Sequence, residues 1–245
     1  MKKSLIVLAA ALLLSACSGM PTRDPRSAQV NAELGLRYML QGQNEIALEK
    51  LNRALEQDPK SPVAHHYLAE LYRRLGESED ADRHFRRAID LDDTNSSIYN
   101  NYGVFLCNEK RYEEAEKQFL KVLANPVYAG RAQTLENLGV CMRAAGDSAK
   151  ATEYFRKALQ ADPKSAIALL GMAELSHAAG NALSARAYLQ RYNEVGPHTP
   201  ESLWLGVRVE RALGNKGAAG SYGLLLKNRF PDSQEAGRYL RSEQP

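Results

Sequence analysis

The chain repeats itself every 34 residues. Six segments align on that period: 28–61, 62–95, 96–131 (two residues longer), 132–165, 166–199 and 200–233. A period of this length is the signature of stacked two-helix units, none of which can bury its apolar face alone. Position 8 holds Gly35, Ala69, Gly103, Gly139, Ala173 and Val207. Position 20 is Ala47, Ala81, Ala115, Ala151, Ala185 and Ala219 without exception. Position 24 is Leu51, Phe85, Phe119, Phe155, Leu189 and Gly223. Small residues at 8 and 20 let two antiparallel helices approach, and the large residue at 24 fills the space beside them. Gly42, Gly76, Gly146, Gly180 and Gly214 stand at position 15, where a left-handed residue turns one helix into the next. Lys110 is the exception there. Position 32 carries Pro59, Pro163, Pro197 and Pro231, which cannot continue the second helix.

This pattern resembles the tetratricopeptide repeat. The resemblance implies an all-α fold: a right-handed solenoid of six helix-turn-helix repeats, whose first helices line a concave surface. The sixth repeat departs from the pattern at Gly206, Val207 and Gly223. It is expected to be less regular and to lean on a short closing helix within 234–245, because a solenoid must hide its last apolar face.

No reaction chemistry is legible. Apolar residues are 44% and charged residues 25%, ordinary for a soluble globular chain, and the formal charge is +3. His65, His66, His84, His177 and His198 lack metal-site spacing and read as solvated surface. The run from Asp90 to Asn95 lacks the Gly and the distal Glu of a calcium loop. No Gly-x-Ser-x-Gly is present. The expectation is a non-enzyme without metal or cofactor.

The N-terminus reads as an address. Lys2 and Lys3 precede the apolar run Leu5 to Leu14, too short to span a bilayer but suited to a signal peptide. Leu14-Ser15-Ala16-Cys17 resembles the bacterial lipobox. The resemblance implies removal of residues 1–16, acylation of Cys17 and a flexible leader over 17–27. Ser18, rather than Asp, after the Cys favours the outer membrane by the sorting rules of such lipoproteins. The alternative is a plain signal peptide with an incidental Cys. Without residues 1–16 the net charge falls to +1, which argues against a nucleic-acid partner.

Positions 2, 5, 9, 12 and 13 line the groove in this repeat family. Repeat 1 places Ala32, Leu36, Met39 and Leu40 there, an apolar patch that Arg73 and Arg74 of repeat 2 would rim. The patch either receives a partner helix or strand, or is covered by the leader. Trp204 with Arg208 and Arg211 forms a second candidate, unless Trp204 is core in an irregular repeat. Asn101 and Asn137 at position 6 could hold a peptide backbone, or make helix-to-helix contacts. Cys107 and Cys141 lie on first helices of adjacent repeats. An oxidising compartment favours pairing, whereas positions 12 and 10 differ by about 200° around a helix. Otherwise they are two buried small apolar residues.

A lipobox followed by six such repeats looks like the type IV pilus pilotins, the PilF/PilW lipoproteins. Asn100-Asn101-Tyr102-Gly103-Val104-Phe105-Leu106-Cys107 and Asn137-Leu138-Gly139-Val140-Cys141 carry the likeness, and both cysteines sit where that family carries a pair. The resemblance implies a monomer anchored at the outer membrane that escorts secretin subunits of the pilus and promotes their multimerisation. The runner-up is an outer-membrane repeat adaptor for a cell-wall hydrolase or protease.

Overall fold

The computed structural model describes residues 23–243, and every regular element among them is α-helical. The helices are α1 (Pro25–Leu40), α2 (Asn44–Gln57), α3 (Pro62–Leu75), α4 (Ser78–Leu91), α5 (Ser96–Asn108), α6 (Tyr112–Ala124) and α7 (Arg131–Ala144). They continue as α8 (Ser148–Ala161), α9 (Ala166–Ala178), α10 (Ala182–Val195), α11 (Pro200–Ala212), α12 (Lys216–Arg229) and α13 (Gln234–Ser242). Consecutive helices pack as hairpins, and each hairpin stacks on the next. This is the tetratricopeptide solenoid expected from the period, closed by α13. No helix of the described residues is long and apolar enough to cross a membrane.

The hairpin turns follow from position 15. Its five glycines all have φ between 72° and 82°, and a Cβ there would point into open space. Lys110 adopts the same left-handed conformation at φ 61° despite its side chain. The turn is therefore set by the stack and not by glycine alone.

The pairing of positions 8 and 24 appears as direct contact. A Cβ on Gly139 would stand 2.4 Å from the Phe155 ring, so only glycine admits that ring. The opposite edge of the same ring rests on Gly171 of the next repeat. Phe85, Phe119 and Phe155 are fully buried, as are the position-20 alanines from Ala47 to Ala185.

The sixth repeat replaces the missing bulk from elsewhere. Tyr222 packs onto Gly206, and Tyr239 of α13 lies on Gly223. Leu203, Leu226 and Ala236 form the small core beneath them, with Trp204 and Phe230 at its margin.

The N-terminal boundary differs from the expected leader. Asp24 caps α1 by accepting from the Ser27 N–H at 3.1 Å, and Pro25 opens the helix. The Asp24 N–H donates to the Gln57 carbonyl at 2.9 Å. The Arg23 guanidinium holds the Asp58 carboxylate by two bonds of 2.6 and 3.0 Å. Asp58 is almost wholly buried, and the Arg23 bond holds its carboxyl below the usual range. Residues 23–27 are therefore part of the first repeat. The expected signal peptide and lipobox, including Cys17, lie outside the described residues.

Candidate partner-binding face

The first helices α1, α3, α5, α7, α9 and α11 touch in succession and form one layer, with the second helices behind them. Along α3, α5 and α7 this layer carries a polar ladder. Asn101 Nδ2 lies 3.0 Å from His66 Nε2 and donates to it in the tautomer protonated at Nδ1. Asn100 donates to Asn101 Oδ1 at 3.3 Å. Asn137 and the Thr134 hydroxyl both donate to Asn100 Oδ1, at 3.3 and 3.1 Å. Asn101 and Asn137 thus make helix-to-helix bonds, the second of the two readings of position 6. His66 is not solvated surface: it is 8% exposed, and burial pushes its pKa down to about 4. His65 and His84 are half-buried, with their Nδ1 atoms 2.9 Å apart. The sequence signal that marks this ladder is Asn at position 6 of two successive repeats.

Beyond the ladder the face is cross-linked by charge and by sulfur. Arg143 of α7 pairs with Glu174 of α9. Cys107 and Cys141 are joined as a disulfide between α5 and α7, with Cα atoms 5.6 Å apart. The 200° separation in helical position does not prevent pairing. On the same helices Val140 is exposed and Val104 is half-buried against the core.

The repeat 1 patch needs correction. Ala32 and Met39 are buried, packed with Ala47, Leu51, Leu68 and Leu71. Leu36 is half-buried against the same core, and only Leu40 is openly exposed, at 65%. Positions 5 and 12 of α1 face the seam with α3, and the small Ala32 lets the two helices close over it. Arg74 does not rim a groove either: its Nη1 donates to the Met39 carbonyl at 3.0 Å and ties repeat 2 to the end of α1. Arg73 pairs with Glu70 of its own helix at 2.9 Å. Near the first hairpin turns, Ile46 and Leu75 are exposed and line a shallow concavity of about 550 Å³.

The second candidate also divides. Trp204 packs half-buried on the closing core. Arg211 fastens α13, donating to the Ser242 hydroxyl at 2.9 Å, pairing with Glu243 and lying 5.7 Å from the Tyr239 ring. Arg208 remains exposed, close to Arg238 and His177. Among the described residues no group of three or more His, Cys, Asp or Glu side chains could hold a metal ion. What this face offers is a surface for another protein: side-chain amides, a few valines and charges already paired.

Comparison with known proteins agrees with that class. Models described as tetratricopeptide repeat match residues 62–95, 95–164 and 142–204, and one described as TPR repeat matches 35–76. This is a tetratricopeptide-repeat protein. It is 36% identical over 203 residues to the type IV pilus assembly protein PilF of Pseudomonas aeruginosa, covering 83% of this chain and 81% of that protein. A solved structure of P. aeruginosa PilF superposes with a TM-score of 0.80 at 34% identity, covering 89% of this chain and 98% of that one. PilW, described as a widely conserved type IV pilus biogenesis factor, gives 0.82 at 30% identity, covering 89% and 100%. The chain belongs to the PilF/PilW family of type IV pilus biogenesis proteins.

Proposed function

We propose that the protein is a pilotin: an outer-membrane lipoprotein that binds secretin subunits of the type IV pilus and promotes their delivery and multimerisation. The observation that carries this reading is the likeness to two pilus biogenesis factors over nearly their whole length. Binding without bond chemistry suits the polar, internally paired face of α3 to α9. Acylation of Cys17 would place that face at the target bilayer. Six peptide steps separate Cys17 from Arg23, at most about 22 Å of extended chain. Arg23 is itself fixed to Asp58, so the solenoid would ride close to the membrane.

The test is an immunoblot of outer membranes from a deletion strain, probed for heat- and detergent-resistant secretin multimers. The expected result is loss of multimers with monomers persisting, and recovery on restoring the gene. Normal multimers would sink the secretin reading and turn attention to a hydrolase or protease as partner. Cys17→Ser is expected to release the protein from the membrane fraction. Unchanged outer-membrane fractionation would remove the anchor from the proposal.

A further inference from the structure

One side-chain contact recurs between successive first helices. Arg143, at position 12 of its repeat on α7, pairs with Glu174, at position 9 on α9. Arg211, at position 12 on α11, donates at 2.9 Å to the hydroxyl of Ser242, the ninth residue of α13. In the step between these two, from α9 to α11, the same positions hold His177 and Arg208. The register that elsewhere joins a cation to an acceptor here sets an imidazole against a guanidinium. The charges report the same proximity. Partial burial and then Arg208 hold the His177 pKa below its usual value, and partial burial and then Arg238 of α13 lower that of Arg208.

The acids on these three helices are engaged elsewhere or stand apart. Glu174 is taken by Arg143, Glu210 is buried against Arg186 of α10, Glu243 pairs with Arg211, and Glu235 lies 3.5 Å from Arg238. Glu201 precedes Arg208 by seven residues, about 10 Å along α11. Among the described residues no carboxylate comes close enough to Arg208 to raise its pKa. Arg208 is thus the exception to the paired charges of the first-helix layer.

We propose that Arg208, flanked by His177 and Arg238, is a docking site for a carboxylate of a partner protein, carried on an acidic segment that crosses the α9 to α13 end of this layer. The incoming Asp or Glu would supply in the α9–α11 step what Glu174 supplies in the step before it. A guanidinium binds a carboxylate by charge-assisted hydrogen bonds, and the added negative charge relieves the repulsion between Arg208 and Arg238. Trp204 stands one turn before Arg208 on the same side of α11 and is half-buried. It offers apolar surface to a residue next to the acid, which a free phosphate or a lipid headgroup would leave unused. The site does not depend on secretin being the partner.

Trp204 is the single tryptophan of the chain, so its fluorescence reports on the site. The probe is acetyl-Leu-Glu-Leu-Glu-amide, with acetyl-Leu-Gln-Leu-Gln-amide as the uncharged control and inorganic phosphate as the anion without a peptide. At low salt the Glu peptide should shift the Trp204 emission saturably at about millimolar concentration, as expected for so small a ligand. The Gln peptide should bind at least about fivefold more weakly, and Arg208→Gln should weaken the Glu peptide to the same extent. Lys227→Gln, on the outer layer, should leave the titration unchanged. A second measurement needs no ligand. Arg208→Glu puts a carboxylate in the register of Glu174 and should raise the His177 pKa, read from its imidazole NMR signals. A flat titration, equal binding of the two peptides, phosphate competing as well as the Glu peptide, or indifference to Arg208→Gln would overturn the proposal. So would a His177 pKa that stays put in Arg208→Glu.

Discussion

Lys110 sits where five repeats place glycine, in a backbone region that costs an L-residue roughly 1–2 kcal/mol. Nothing about its side chain requires that conformation; the α5–α6 hairpin imposes it. Lys110→Gly should therefore stabilise the protein by about 0.5–1 kcal/mol, after the entropy that glycine adds to the unfolded chain. A urea midpoint that stays put or falls would show that the turn is unstrained. His66 gives a prediction of the opposite kind. Its folded pKa is about 4 because burial disfavours the imidazolium, while an unfolded histidine titrates near 6.5. Between those values the unfolded chain binds the extra proton. The stabilisation is complete above pH 6.5 and is lost as pH falls towards 4. Gln at 66 keeps an acceptor for Asn101 but does not titrate. From pH 7 to pH 4, wild type should lose roughly 2–3 kcal/mol more than His66→Gln. Parallel pH profiles for the two proteins would mean that His66 is solvated in solution.

At the scale of elements, the closing helix substitutes for a residue the sixth repeat lacks. Tyr239 occupies the space over Gly223 that a large position-24 side chain fills in every other repeat. Tyr239→Ala should cost about 2 kcal/mol, below the range for a fully buried aromatic because this ring is half-exposed. Gly223→Leu in the wild type should also destabilise, since its Cβ would stand 2.1 Å from the Tyr239 ring. Together the two changes should cost less than their sum, because the leucine refills the space vacated by the tyrosine. Additive losses in a double-mutant cycle would show that α13 is held by other contacts.

The same elements mark how far the sequence could be read. Positions 8, 15, 20 and 24 stated the hairpins and their packing, because each is fixed by contacts inside one period. The departure at Gly223 was visible too. Its remedy was not, since Tyr239 lies on a helix with no counterpart in the period. The start of α1 was missed for a related reason: the alignment begins at 28, whereas Asp24-Pro25 is a cap-and-proline start that only local signals reveal. The repeat 1 patch misled because position alone does not say which groove residues the next helix covers. Ala32 and Met39 are covered and Leu40 is not.

At the scale of the whole molecule, the core is not uniform along the stack. One buried block runs from Ala69 to Met172 and holds the phenylalanines at 85, 105, 119 and 155. A smaller block, without phenylalanine, serves the first two repeats, and Tyr72 touches both. Towards the other end, Leu159 and Tyr188 link the central block to that of α9 to α11, and Tyr222 links the latter to the closing core. A solenoid couples only neighbours, so these blocks should open at different free energies. The disulfide lies inside the central block and closes a span of 34 residues, which constrains the unfolded chain by about 3–4 kcal/mol. Native-state hydrogen exchange should then find the slowest amides in α5 to α8, with protection falling towards α1 and α13. Replacing both cysteines, Cys107→Ser with Cys141→Ser, should lower protection in α5 to α8 by an amount of that order and leave the outermost helices nearly unchanged. An equal drop at every amide would mean that the stack unfolds as one unit. Unequal drops would leave the end repeats free to rearrange while the centre, with its ladder and its disulfide, keeps the first helices in register.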